Sequence, residues 1–277
     1  MVKAFISIIL PALMLQGCSE SVPSISVPMD DIHAEMHVTS PDGKNAFVEV
    51  QLKKDGADSD QYLDLEEGDR LIASTQPDFA AVEITHDLFD NISDLSRQYK
   101  EMEKGSDTVT FLDFFILKLN FLGSDGIWYY TTFSDMNPDT EVTVAFLRGS
   151  SPGATNSLVQ LPDAFEITEP ILASETVYSR NSDDIVVGWV PSGTSFPMTL
   201  EAFTSCADRS EHDEPTVSVE DTGSYTLSAG TLEGYPGVCI TTLNLIRSRL
   251  GQIDSGYGRG GSIIGHQSRT VIIYSLD

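Results

Sequence analysis

Gly149-Ser150-Ser151-Pro152-Gly153 has the G-x-S-x-G spacing that presents a serine nucleophile on a strand-to-helix turn. That chemistry needs the backbone N–H after the serine to build an oxyanion hole. The residue after Ser151 is Pro152, which has no N–H. The chain then reads as strand from Ala154 to Ser157, so Ser151 is not expected to be a nucleophile. Gly256-Tyr257-Gly258-Arg259-Gly260-Gly261 matches G-x-G-x-x-G, but a dinucleotide turn opens a helix, and a β pattern follows here. A flexible loop is expected instead. His33 and His37 have the four-residue spacing that pairs metal ligands on a helix. On a strand they share a face but lie ~13 Å apart, as polar surface positions. His86, His212 and His266 have no local partner, and only the fold could bring His266 near an acid. Asp55-Gly56-Ala57-Asp58-Ser59-Asp60 is rich in carboxylates but lacks the EF-hand order. It reads as a solvated hairpin loop, with a loose Ca²⁺ site as the alternative. Asp183-Asp184 reads as a capping pair or a ligand pair. A two-carboxylate glycosidase needs its acids converging in a cleft, and among 42 acids the sequence nominates no pair.

The elements that would position these residues are mostly strands. His33 to Thr39 alternates polar and apolar residues, as does Ala46 to Leu52, with Pro41-Asp42-Gly43-Lys44 as a turn between them. Residues 63–65 and 70–73 flank the turn Glu66-Glu67-Gly68-Asp69, and 81–85 is a further strand. Leu88, Ile92, Leu95, Tyr99 and Met102 recur at spacings of four and three, which reads residues 87–104 as a helix or a long loop. Thr108–Leu122 is strongly apolar, but Asp113 and Lys118 interrupt it, and a buried strand pair fits it. Strands are expected again at 128–133, 141–148, 158–161 and 165–167. After a boundary near Thr168-Glu169-Pro170, further strands are expected at 184–190, 198–206, 216–220, 224–228, 238–245 and 269–274. Turns at intervals of about 8–20 residues suggest a β-sandwich.

The first residues carry their own pattern. Lys3 precedes an apolar run from Ala4 to Leu15, and Gln16-Gly17-Cys18 follows. This is the layout of an export signal, too short for a spanning helix of about 20 residues. Leu15-Gln16-Gly17-Cys18 resembles the lipobox of bacterial lipoproteins. The resemblance implies that residues 1–17 are removed and that Cys18 carries the lipid, which would be a stable membrane anchor. Ser19 after the cysteine implies, by the same resemblance, sorting to the outer membrane. Residues 18–29, rich in Ser and Pro, read as a short tether. With Cys18 assigned to the lipid, Cys206 and Cys239 remain, and an even pair in an exported chain reads as a disulfide.

Sixteen basic residues stand against 42 acidic ones, for a net charge of −26. Such a chain will not bind nucleic acid or anionic headgroups through its charge. At 40% hydrophobic and 21% charged residues it can bury a core. Asp221-Thr222-Gly223-Ser224-Tyr225 resembles the tyrosine corner of immunoglobulin-like domains. Leu227 stands where those domains place a cysteine, and Trp189 precedes both cysteines, so the match points to a sandwich without a true immunoglobulin signature. The whole chain resembles uncharacterised proteobacterial lipoproteins. Gly68-Asp69 with Leu71, the D-x-G-x-Y turn, and the stretch from Cys239 to Arg249 carry that resemblance. The expected fold is mainly β: two immunoglobulin-like β-sandwich domains in tandem, residues 30–168 and 169–277, with one helix in the first. The expected function is that of a lipid-anchored envelope protein, a non-catalytic binding or structural module. Its partners would be the membrane, through the lipid, and an envelope protein or glycan. The alternative is an envelope hydrolase whose carboxylate- or His-based site only the fold assembles.

Overall fold

The computed structural model describes residues 20–277, except 67, 77–80, 86–125, 135, 137–139, 150, 171–176, 207–210, 214–215 and 233–236. Cys18, His86 and the readings of 87–104 and 108–122 therefore lie outside the described residues. The rest is built of strands and two 3-10 turns, so the mainly β expectation holds.

One large sheet runs through the molecule. Its order is β1 (Glu20–Pro23), β4 (Gln61–Asp64), β3 (Ala46–Lys54), β2 (Ile32–Ser40), β18 (Gly261–Leu276), β17 (Cys239–Leu250), β13 (Met198–Cys206) and β14 (Glu211–Asp213). Beside this path, β7 (Tyr129–Phe133) pairs with β3, β11 (Val177–Ser179) with β18, and β15 (Val217–Val219) with β13. A four-stranded sheet is ordered β6 (Ala81–Ile84), β5 (Arg70–Gln76), β8 (Glu141–Leu147) and β9 (Ala154–Gln160). A three-stranded sheet is ordered β10 (Ile167–Glu169), β12 (Ile185–Trp189) and β16 (Ser224–Leu227).

Each small sheet packs on a different part of the large one, which yields two sandwiches. Alternation decides the buried face. Ile32, Ala34, Met36 and Val38 of β2 meet Val48, Val50 and Leu52 of β3, and Leu71, Val142, Val144 and Phe146 of the four-stranded sheet, in one core. Ile185, Val187 and Trp189 of β12 meet Met198, Leu200, Leu243, Leu245, Val271 and Ile273 of the large sheet in a second. β18 serves both. Its N-terminal half lies parallel to β2 from Gly261↔Ala34 to Gln267↔Ser40 and places Ile263 in the first core. Its C-terminal half places Val271 and Ile273 in the second core. The sandwiches thus share a continuous ladder of hydrogen bonds.

The Ser/Pro-rich segment after Cys18 is not a free spacer from Glu20 onward. β1 pairs parallel with β4, register Glu20↔Gln61 to Pro23↔Asp64. Ser24 is fully buried, and Val27 belongs to the first core. Arg148 donates to the Val27 carbonyl at 2.7 Å and the Ser24 carbonyl at 2.6 Å. Asp69 accepts from Ser24 Oγ at 2.7 Å and from the Gly149 N–H at 3.0 Å. Asp69 also lies 3.6 Å from Arg148, both side chains nearly excluded from solvent. Pro and Ser suit a solvated linker by composition, but here the carbonyls of Ser24 and Val27 find a buried cation and the Ser24 hydroxyl a carboxylate.

Candidate functional site

The patterns singled out in the sequence take structural roles. Ser151 lies exposed in the link between β8 and β9. Gly153 beside it abuts the Phe146 carbonyl, so the glycine there answers a close backbone approach. The loop at Gly256–Gly261 is packed down, contrary to the flexible loop expected. Tyr257 is buried in the first core, the Gly258 N–H donates to the Met29 carbonyl at 3.0 Å, and the Arg259 N–H donates to the Ile32 carbonyl at 3.1 Å. A Cβ at Gly258 would overlap the Asp30 backbone. Asp254 holds the base of this loop by accepting backbone N–H bonds from Gly256, Asn156 and Thr155 at 2.7–2.8 Å. Burial pushes its carboxyl up, but these N–H groups together outweigh burial and hold it below the usual carboxylate range.

Asp55–Asp60 forms the loop between β3 and β4, with the Lys53 ammonium donating to the Ala57 carbonyl at 3.0 Å. Asp183 and Asp184 accept the N–H groups of Ser179 and Ala229 at 2.7 and 2.9 Å, so they cap backbone. Among the described residues, no three His, Cys, Asp or Glu side chains converge as metal ligands. Cys206 and Cys239, on neighbouring β13 and β17, are bonded as expected.

In Asp221-Thr222-Gly223-Ser224-Tyr225 the aspartate is the busiest residue. Asp221 accepts from Trp189 Nε1 at 2.8 Å, from Ser192 Oγ at 2.7 Å and from the Ser192 N–H at 3.1 Å. Its other partner is Arg247, 3.0 Å away and wholly excluded from solvent. Arg247 also donates to the carbonyls of Asp163 and Val190 and lies over the Phe165 ring at 4.7 Å. Burial raises the Asp221 carboxyl, but the Ser192 and Trp189 bonds and the Arg247 charge outweigh it, so it is held below the usual range. Arg269 also lies 5.4 Å from the Phe165 ring, and burial lowers its guanidinium to about 10, still protonated at neutral pH.

One arrangement was not legible in the sequence. His37 on β2 and His266 on β18 point to the face of the large sheet opposite the cores, because their neighbours Met36, Val38, Gly265 and Gln267 face inward. The parallel pairing of β2 with β18 brings Nδ1 of His37 to 3.1 Å from Nε2 of His266. The ring planes are 18° from parallel with centroids 5.4 Å apart, so the rings meet end to end. Ser248 is directly across from His266 on β17, and its Oγ is 2.9 Å from His266 Nδ1. Glu49 is directly across from His37 on β3, and the Trp128 ring lies 6.2 Å from His37. Both histidines and the serine are half-buried. His266, expected to meet an acid if anything, meets another imidazole. His33, on the same face, bonds to the Arg259 carbonyl at 3.1 Å instead.

Ser248–His266–His37 is a hydrogen-bonded chain with the connectivity of a nucleophile, a base and an orienting group. It lies on a strand, where the Ser248 N–H already donates to the Pro197 carbonyl at 2.9 Å.

No protein-family model matches the chain, and no curated protein matches it. Among solved structures, the FN1–FN3 domains of chicken CNTN1 align at 12% identity with a TM-score of 0.28, over 88% of this chain and 63% of that one. A mutant Salmonella alpha-2-macroglobulin aligns at 10% identity with a TM-score of 0.26, over 90% of this chain and 15% of that one. A tetra-tandem repeat in the extending region of a large adhesion protein aligns at 8% identity with a TM-score of 0.21, over 87% of this chain and 50% of that one.

Proposed function

We propose that this chain is a lipid-anchored protein of the bacterial cell envelope, carried on Cys18 at the outer membrane, and that it works as a non-catalytic binding or structural module. Its partner would be another envelope protein or a glycan. The observation that carries the reading is the use made of the buried carboxylates. Asp69, Asp221 and Asp254 each take two or more hydrogen bonds from the protein itself, which locks loops and the N-terminal segment in place. Acids engaged in this way fix shape, whereas a general acid or base needs an oxygen open to substrate. The docking of β1 supports the anchor's part in this reading. With Glu20 already in a strand, an acylated Cys18 would hold the first sandwich close to the bilayer.

A second reading, an envelope hydrolase, is favoured by the contact between Ser248 and His266. One experiment separates the two. Cells making the wild-type chain or the Cys18→Ser variant are fed radiolabelled palmitate, fractionated, and treated with a fluorophosphonate probe. The module reading expects label and membrane association for wild type, loss of both in Cys18→Ser, and no probe adduct. Label retained without Cys18 overturns the anchor, and an adduct on Ser248 overturns the module in favour of the hydrolase.

A further inference from the structure

We infer that the outer face of the large sheet, at the end of the second sandwich farthest from β1, is a docking surface for a protein segment that carries apolar side chains between basic ones. The surface serves the module reading and rests on it, but not on the lipid.

The face follows from strand register. In this part of the sheet Val271, Ile273 and Ser275 of β18 and Cys239 and Thr241 of β17 are buried beneath it. The residues between them point to the opposite face. Ile240 of β17 pairs with Tyr274 of β18, and Val177 of β11 pairs with Tyr274 from the other side, so the three form a row across adjacent strands. Val238 and Leu276, two residues from Ile240 and Tyr274 along their own chains, extend that row. The exposures of these five side chains run from 41% to 50%. They are five of the ten large apolar side chains that are exposed among the described residues. Single apolar side chains are ordinary on a surface, whereas a contiguous group marks an interaction site. β18 is paired on both sides here, and the Cys206–Cys239 bond ties β17 to β13, so the surface is already rigid before a partner arrives.

Chemistry selects the occupant. Glycan hydroxyls placed against valine and isoleucine lose their water, and the row offers only the Tyr274 hydroxyl in exchange. Apolar side chains of a protein suffer no such loss. A second copy brings a net charge of −26 against the same charge, which repels it. The rim favours the opposite sign. Asp183 is exposed beside β11, where it accepts the Ser179 N–H, and Asp277 follows Leu276 with its side chain 48% exposed. Arg180, the partner of Asp277, is itself only 3% exposed. No lysine follows Lys118 in the sequence. Lysines or arginines flanking an apolar centre therefore complement this face.

The face also stands apart from the segment that would be acylated. Ser21 of β1 lies level with Tyr62, Lys53 and His33 across β4, β3 and β2. Gly261 of β18 pairs with Ala34 at the next position, and Tyr274 lies about 40 Å farther along β18 at ~3.3 Å per residue. A bilayer holding Cys18 does not reach it.

The test uses the full chain carrying Cys18→Ser in buffer without detergent, because detergent would itself cover an apolar face. The probe is a fluorescein-labelled peptide with Val-Ile-Tyr-Ile between paired lysines, followed by anisotropy. Saturable one-to-one binding is expected. Ile240→Ser/Tyr274→Ser should weaken it at least tenfold. Val186→Ser, at an apolar residue 40% exposed on β12 of the three-stranded sheet, should leave it unchanged. Peptides with glutamates for the lysines, or serines for the apolar residues, should not bind. Circular dichroism establishes that each variant is folded. Absence of saturable binding, equal binding of the glutamate peptide, or full binding to the folded double variant overturns the inference. So does a dimer in sedimentation that Ile240→Ser/Tyr274→Ser dissolves, since the occupant would then be a second copy. The fluorophosphonate adduct at Ser248 tests the module reading separately.

Discussion

Replacing Asp221 by alanine removes the anion that Arg247 faces inside the second sandwich. The side chains are 3% and 0% exposed, so water cannot take over the carboxylate's role. Breaking a buried pair from one side costs about 3–5 kcal/mol, because the remaining charge is left uncompensated. Arg247 keeps its bonds to the carbonyls of Asp163 at 2.7 Å and Val190 at 3.3 Å, and its place over Phe165. Those contacts put the charge penalty at the low end, about 3 kcal/mol. The indole N–H of Trp189 also loses its acceptor, which adds about 1 kcal/mol. The expected loss is therefore about 4 kcal/mol, a large fraction of the 5–15 kcal/mol typical of a folded domain. The assay is urea unfolding followed by circular dichroism, with the midpoint and slope converted to free energy. Asp221→Ala/Arg247→Met removes the stranded charge as well and is expected to recover at least half of the loss. A loss under about 1 kcal/mol in the single variant, or a double variant no better than the sum of the two singles, would refute the assignment of this pair as the clamp of the second sandwich.

Two further outcomes follow from the other carboxylate clamps. Asp254 titrates lower in the folded chain than in the unfolded one, so the unfolded state binds more protons as acid is added. Its stabilisation is complete above the ordinary aspartate value of about 3.9 and is lost as pH falls through the lower folded value. The urea midpoint, measured from neutral pH downward, should drop on the acid side, and Asp254→Asn should flatten that slope while lowering the neutral midpoint. For the N-terminal segment, Arg148→Met strands Asp69 and frees the carbonyls of Ser24 and Val27. A loss of about 3 kcal/mol and new native-state proteolytic cuts between residues 20 and 28 are expected. An unchanged digestion pattern would show that β1 is held without Arg148.

How far the sequence reads into this fold differs from element to element. β2 and β8 were legible because they alternate onto a buried face, and β3 because Val48, Val50 and Leu52 alternate with Glu49 and Gln51, although both of its faces are buried. The cysteine pair was legible because, once the lipobox resemblance sets Cys18 aside, the two other cysteines allow one pairing. The turn at Asp221 was legible as a pattern pointing to a sandwich, which the fold bears out, but the contacts of Asp221 with Trp189, Ser192 and Arg247 were not. Composition makes the segment after Cys18 read as a tether, because it reports solubility and not the presence of a distant Arg148. Its carbonyls meet that guanidinium only because β8 delivers it from 121 and 124 residues away.

The histidines show the same division. Residue order alone determined that His37 would lie on a strand face with His33, whereas the strand expected at 238–245 runs on to Leu250 and takes in Ser248. Residue order also determined that none of the serine or glycine motifs had the context its chemistry needs. Only the tertiary structure decided that β18 would lie parallel to β2, joining His37 to His266 across 229 positions. Alternation has a period of two and is satisfied equally by many strand partners and registers. The register actually adopted is set by both cores at once, because β18 must place Ile263 in one and Val271 and Ile273 in the other. The facing imidazoles follow from that long-range packing, and no local pattern encodes them.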